Sequence, residues 1–123
     1  MSKKYLVTGA AGFIASQVSK QLLDQGERVV GVDNLNDYYD VRLKNWRLEQ
    51  LKARLNSENF SFSDLDIEDQ AKLSDLFQAK GPFNAVLNLA ARAGVRYSME
   101  NPHVYLSTNA EGTLNLLECM RTH

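Results

Sequence analysis

The chain has 123 residues, 44% hydrophobic and 24% charged, a size and balance suited to one soluble domain with a single core. Fourteen basic residues stand against 15 acidic ones, so net charge gives no electrostatic case for nucleic acid or an anionic membrane as partner. Cys119 is the sole cysteine, which excludes an internal disulfide and fits a reducing, cytoplasmic setting; no apolar run reaches the length of a signal region or a membrane span. Tyr5-Leu6-Val7 reads as strand one, stopped by Thr8-Gly9. From Phe13, the apolar residues Ile14, Val18 and Leu22 recur at four-residue spacing and predict helix one, closed by Gly26. Strand two is Arg28 to Asp33, β-branched and buried in character. Asp40 caps a second helix whose buried stripe is Val41, Leu48, Leu51 and Leu55. Its other face, with Arg42, Lys44, Arg47, Lys52 and Arg54, reads as solvated.

Asn59 to Ser63 alternates polar and apolar and predicts strand three. Asp66 to Gln78 holds helix three, with Ala71, Leu73, Leu76 and Phe77 apolar, and Gly81-Pro82 breaks it. Asn84 to Leu89 is strand four. A loop with Gly94 and Asn101-Pro102 leads to helix four, which carries Leu106, Ala110, Leu114, Leu117 and Cys119-Met120. Four strands alternating with four helices imply an α/β fold with a parallel sheet, helices on both faces and right-handed crossovers. The strand order 3-2-1-4 follows if the fold is the Rossmann-like, dinucleotide-binding one.

The segment that carries chemistry is Val7-Thr8-Gly9-Ala10-Ala11-Gly12-Phe13-Ile14-Ala15, which leaves a strand and opens a helix. Gly9 permits the tight turn, and Gly12 lets a pyrophosphate approach backbone N–H groups. The helix start supplies free donors and the positive end of its dipole, and Ala15 is small enough for helix to pack on strand. Spacing alone suits a turn kept for geometry as well as one that binds; strand, helix and a downstream acid together favour binding. That acid is Asp33, at the end of strand two. Its carboxylate can accept both ribose hydroxyls and repels a 2′-phosphate, which favours NAD over NADP. Asp33-Asn34 also suits an ordinary turn.

With these residues the chain resembles the extended short-chain dehydrogenase/reductase family, on Thr8 to Ile14. More narrowly it resembles the UDP-glucuronate 4-epimerases, NAD-dependent nucleotide-sugar epimerases, on Val32-Asp33-Asn34-Leu35-Asn36-Asp37-Tyr38-Tyr39-Asp40-Val41-Arg42-Leu43-Lys44 and on Ala91 to Pro102. The resemblance covers the whole chain but only the amino-terminal third of such enzymes, so residues 1–123 are expected to form an NAD-binding domain that is incomplete relative to the family. It implies that Gly9, Gly12, Phe13 and Ile14 border the pyrophosphate. Asp33 would hold the adenosine ribose with Asn34 and Asn36 nearby, and Asp66 and Ile67 would frame the adenine. Leu89, Ala90 and Ala91 would lie beside the nicotinamide ribose, and Asn109 near the cofactor. Gly94 and Arg96 would form part of a lip over the sugar nucleotide. A lone loop arginine such as Arg96 also reads as merely solvated, and Asp66 also reads as the cap of helix three. Four positions depart from the family pattern: Ala15 for a third glycine, Gln17 and Asn88 where histidine is common, and Arg92 where glutamine is common.

Catalysis in the family, as the resemblance implies, uses a Tyr-x-x-x-Lys pair. The tyrosines here, Tyr5, Tyr38, Tyr39, Tyr97 and Tyr105, are followed at that spacing by Gly9, Arg42, Leu43, Asn101 and Asn109. No catalytic residue and no metal ligand is therefore assigned within the chain. It reads as the NAD-binding portion of a longer epimerase acting on UDP-glucuronate or a similar UDP-sugar, or as a naturally short relative. A non-catalytic NAD-binding or interaction module and the first half of a nucleotide-sugar 4,6-dehydratase are the competing readings. Strand four would present an unpaired edge with Val86, Leu87 and Leu89. Helix four would present Leu106, Ala110, Leu114 and Leu117, broadened by Leu116 and Met120, so a homo-oligomer formed through either is expected.

Overall fold

The computed structural model describes residues 2–35, 41–53, 57–90 and 99–123. They divide into two compact units, Met1–Asp64 with Phe83–Leu89, and Leu65–Pro82 with Ala90–His123.

The first unit contains the whole sheet. Its strands are β1 (Lys4–Thr8), β2 (Arg28–Asp33), β3 (Phe60–Asp64) and β4 (Ala85–Asn88). All pairs are parallel and the order is β3-β2-β1-β4, as the βα alternation requires. Tyr5 pairs with Val29 and Ala85, and Val29 with Phe60, so these side chains and every second residue after them share one face. Helices α1 (Phe13–Asp24) and α2 (Val41–Lys52) pack there. Val7, Val29 and Phe60 meet Ala11, Ala15, Leu23, Leu48 and Leu51 in the core, with Leu22, Leu35, Phe62 and Leu87 at its margin.

The buried stripe of α1 lies one step round from the expected one. It is Ala15, Ser16, Ser19 and Leu23, whereas Phe13 and Ile14 are exposed. The first turn of a helix that starts at a strand's end must pack closely, and small residues allow this where Phe13 and Ile14 would hold it away. Gly26, at φ +82°, ends α1 as expected; the N–H groups of Gln25 and Gly26 close on carbonyls of its last turns.

Helix α2 brings a larger correction. Lys44, expected on the solvated face, is buried. It shares a stripe with Leu48 and Leu51, four and seven residues on, and the spacing alone would have placed it there. Leu55 and the expected cap Asp40 lie outside the described residues.

In the second unit, α3 (Gln70–Lys80) buries Leu73, Leu76 and Phe77. Its N-cap is Asp69, whose carboxylate accepts the Lys72 N–H at 3.1 Å. Asp66 does not cap the helix: its Oδ1 accepts the Glu68 N–H at 2.9 Å and its carbonyl accepts the Asp69 N–H, which builds the turn before α3. The last helical stretch comprises α4 (Pro102–Leu106), a π-helical turn (Ser107–Glu111) and α5 (Gly112–Thr122). The stripe Leu106, Ala110, Leu114 and Leu117, with Met120 beside it, is exposed as expected. Gly112, Leu116 and Cys119, at spacings of four and three, form the buried face of α5. Leu116 thus belongs to the interior of this unit and not to its surface. Gly112 allows the close approach of Ile67, whose Cδ1 lies 2.6 Å from where a Cβ would stand.

Burial pushes the Cys119 thiol above its ordinary 9.0, with a smaller push from the Glu118 charge. The folded state thus favours the protonated thiol. That contribution to stability is complete below pH 9 and is lost as pH rises through the raised value. Alkylation by iodoacetamide at pH 8 should run at least tenfold slower in the folded protein than in urea-unfolded chain. Equal rates would show the thiol to be open to solvent.

Candidate functional site

The glycine turn leaves the end of β1 with Gly9 at φ +68°, a conformation that a residue with a Cβ adopts only under strain. The Gly12 N–H returns to the Gly9 carbonyl at 2.8 Å, and a Cβ on Gly12 would meet that same oxygen at 3.0 Å. Gly12 is thus bare because the turn closes on itself there, which leaves its outer surface open to a ligand. The first turn of α1 receives no side-chain cap and contains no acidic residue, so nothing local competes with an anion for its N–H groups. Phe13 is 72% exposed and Ile14 is 66% exposed, on the open side of the turn.

Asp33 ends β2, where its side chain is 7% exposed. Its Oδ2 accepts the Ala11 N–H at 3.1 Å, across 22 residues of sequence, and its Oδ1 accepts the Leu35 N–H at 2.7 Å. A carboxylate offers about four lone-pair sites, so these two bonds leave capacity for two further donors. Leu35 follows in the left-handed region at φ +53°, an uncommon conformation for a bulky side chain. Helix α2 supplies two cations to the same place. The Lys44 ammonium stands 3.9 Å from Asp33 Oδ1, with both side chains 7% exposed. Arg47, one turn on, donates to the Ala11 carbonyl at 3.2 Å and lies 5.8 Å from the centre of the Phe13 ring. Ala11 is therefore held at both ends, its N–H by a carboxylate and its C=O by a guanidinium. Charge made Lys44 and Arg47 look like a solvated surface in the sequence; helical spacing was the only signal that marked Lys44.

At the ends of β1 and β4 the Thr8 hydroxyl, fully buried, donates to Asn88 Oδ1 at 2.6 Å and accepts the Leu89 N–H at 2.9 Å. Asn88, one of the departures from the family pattern, is thus a partner of Thr8. Neither role was legible in the sequence. Leu89 is half-exposed at the end of this unit.

Of the remaining predicted residues, Asp66, Ile67, Ala90 and Asn109 belong to the second unit. Ile67 is buried, and its carbonyl accepts the Asn115 amide at 2.9 Å. The Glu68 carboxylate accepts the Thr108 hydroxyl at 3.2 Å. The turn that carries Asp66 and Ile67 is thereby fastened to the π-helical turn and α5. Asn109 is exposed in that π-helical turn, where its carbonyl accepts the Thr113 hydroxyl at 2.9 Å. Ala90 is half-buried. Asn36, Ala91, Gly94 and Arg96 lie outside the described residues. Asn34 is half-buried beside Asp33.

A cleft of about 150 Å³ between α1 and α2 is lined by Gln17, Lys20, Trp46, Arg47 and Gln50 among others. It contains none of the predicted site residues. The donor set around Gly9, Gly12 and Asp33 is the one whose chemistry fits a dinucleotide: open N–H groups and a glycine surface for phosphate, and a preset carboxylate for hydroxyls. Among the described residues, no helix is long and apolar enough to cross a membrane, and no cluster of metal-ligating side chains occurs.

The family model described as GDP-mannose 4,6 dehydratase matches residues 6–123. The chain is 56% identical over 117 residues to a UDP-glucuronate 4-epimerase of Thermodesulfobacterium geofontis, covering 95% of this chain and 35% of that protein. The solved UDP-glucuronic acid 4-epimerase of Bacillus cereus, in complex with UDP-glucuronic acid and NAD, superposes with a TM-score of 0.84 at 34% identity, covering 98% of this chain and 37% of that one. A UDP-glucose-4-epimerase of Stenotrophomonas maltophila, with bound NAD and formylated UDP-arabinopyranose, gives 0.81 at 32% identity and covers 97% and 33%. The chain spans about a third of the length of these relatives.

Replacing Thr8 with Val keeps shape and removes the hydroxyl. The Leu89 N–H and Asn88 Oδ1 then lose a buried partner, and the expected cost is about 1–3 kcal/mol. Urea unfolding should show the midpoint falling at constant slope; an unchanged midpoint would mean that water replaces the hydroxyl.

Proposed function

The chain belongs to the GDP-mannose 4,6 dehydratase family, and from that premise we propose that it is the NAD-binding portion of a nucleotide-sugar 4-epimerase whose substrate is UDP-glucuronate or a close UDP-sugar. The observation that carries this reading is the Asp33 carboxylate at the end of β2, hydrogen-bonded to Ala11 of a glycine turn that opens α1. In this reading Gly9, Gly12, Phe13 and Ile14 border the pyrophosphate, and Asp33 with Asn34 and Asn36 takes the adenosine ribose. Asp66 and Ile67 frame the adenine, Leu89, Ala90 and Ala91 flank the nicotinamide ribose, and Asn109 lies near the cofactor. Gly94 and Arg96 serve the sugar nucleotide. NAD, when bound, supplies the acceptor for a hydride from sugar C4 and its return. The chain's own part is to bind and orient it.

Support for an epimerase comes from the segments Asn34 to Lys44 and Ala93 to Pro102, and from the names of the relatives. The description of the family model favours a 4,6-dehydratase as the second reading. The two differ in product: an epimerase returns the hydride to C4, whereas a dehydratase loses water from the sugar. We also propose a cytoplasmic setting and self-association. The latter rests on the exposed Leu106, Leu114, Leu117 and Met120 and on β4, which among the described residues pairs only with β1.

Calorimetry on the purified protein should show NAD binding that Gly12→Val abolishes, because a branched side chain would fill the pyrophosphate's place and press on the Gly9 carbonyl. Asp33→Ala should weaken binding by about 1.5–3 kcal/mol, the range for hydrogen bonds to a charged group. Undiminished binding by Gly12→Val would refute the assignment of the turn.

The 123-residue chain has no tyrosine followed four residues on by lysine, the pair expected to move the proton. Incubated with UDP-glucuronate and NAD, it should yield no UDP-galacturonate above background by chromatography. Turnover would mean that another group serves as base.

A further inference from the structure

The Asp33 carboxylate does not stand alone at the ribose end of the proposed site. Lys44 is buried beside it, its ammonium 3.9 Å from Oδ1. That distance is beyond a hydrogen bond, so toward Asp33 the lysine acts as a charge. Helix α2 is fixed in this position by Leu48 and Leu51 in the core and by Arg47 on the Ala11 carbonyl. The backbone that carries Lys44 is therefore held by contacts that do not involve position 33. The two backbone bonds to the carboxylate come from the neighbouring N–H groups of Ala11 and Leu35, so its orientation does not depend on Lys44.

We propose that Lys44 is a specificity-determining residue of the dinucleotide site: its buried charge offsets the repulsion of a 2′-phosphate by Asp33, and the two residues together set the choice between NAD and NADP. The proposal rests on the dinucleotide-binding reading and deepens it. A lone carboxylate rejects a 2′-phosphate by charge and accepts ribose hydroxyls by hydrogen bonding. With a lysine behind it, the rejection is only partial. If the carboxylate is neutralised while the lysine stays, the same place becomes cationic and suits a phosphate group.

The test measures NAD and NADP affinities by calorimetry for the wild type, Asp33→Asn, Asp33→Asn/Lys44→Met and Lys44→Gln. Wild type should prefer NAD. Asp33→Asn should gain NADP affinity by about tenfold or more, the size of one charge-assisted contact. In the double variant that gain should fall back by about tenfold, although folding is disturbed less there, because both members of a buried pair are replaced together. Lys44→Gln alone should raise the NAD-to-NADP affinity ratio severalfold, which keeps the proposal testable if Asp33→Asn does not fold. A purely structural lysine would move both affinities together and leave their ratio unchanged. The proposal is overturned if NADP affinity rises equally in Asp33→Asn and in the double variant, or if the ratio is the same in Lys44→Gln as in wild type. A wild type that binds neither dinucleotide overturns the underlying reading and this inference with it, a result distinct from a wild type that binds NAD with an unaltered ratio in the variants.

Discussion

The arrangement of the first unit depends on the bond from the Ala11 N–H to the Asp33 carboxylate. It joins the glycine turn after β1 to the end of β2, 22 residues on, and extends the pairing of Thr8 with Val32 and the bond from the Ala10 N–H to the Val32 carbonyl. A buried carboxylate needs partners, since leaving one unpaired costs several kcal/mol. Ala11 and Leu35 supply hydrogen bonds, and Lys44 supplies charge. Satisfying one acidic group thus recruits the turn, the segment after β2 and helix α2. The positive φ of Leu35 is held by the same set of contacts.

The geometry explains why a site of this kind is assembled from backbone more than from side chains. In the proposed site a phosphate would be met by peptide N–H groups at the start of α1, where glycine keeps the surface bare. Side chains enter as supports. Arg47 holds the Ala11 carbonyl, Thr8 ties the ends of β1 and β4 together, and Ser16 caps back onto the Phe13 carbonyl at 3.2 Å within α1. The second unit follows the same logic on a smaller scale. Asn115 and Thr108 fasten the turn of Asp66 to Glu68 through its carbonyls and one carboxylate, while Gly112 makes room for Ile67.

Several features were open to reading because they are local. Gly9, Gly12 and Asp33 each need only a strand end and a short turn to acquire meaning, and the alternation of strand and helix implies a parallel sheet in the order found. Other features were misread for equally physical reasons. Lys44 was assigned to solvent because lysine is almost never buried unless paired, and its partner lies 11 residues back on another element. Asp66 lost the cap to Asp69 because both suit an N-cap and only the turn geometry separates them. Leu116 was grouped with the exposed apolar surface of the last helix, whereas it shares a face with Gly112 and Cys119 and turns inward.

The amino-acid sequence by itself determined the fold class, the strand order and the position of the glycine turn between β1 and α1, since these follow from hydrophobic period, glycine placement and the handedness of βαβ connections. It also determined the absence of a Tyr-x-x-x-Lys pair within these 123 residues. Only the tertiary structure decided which charges are buried, which helix faces turn inward and which polar groups support the turn. Those outcomes depend on contacts between residues distant in the chain: Asp33 with Ala11 and Lys44, Arg47 with Ala11, Thr8 with Asn88. The energy of a buried polar group is set by the partner that folding brings to it, and no local pattern of residues specifies that partner.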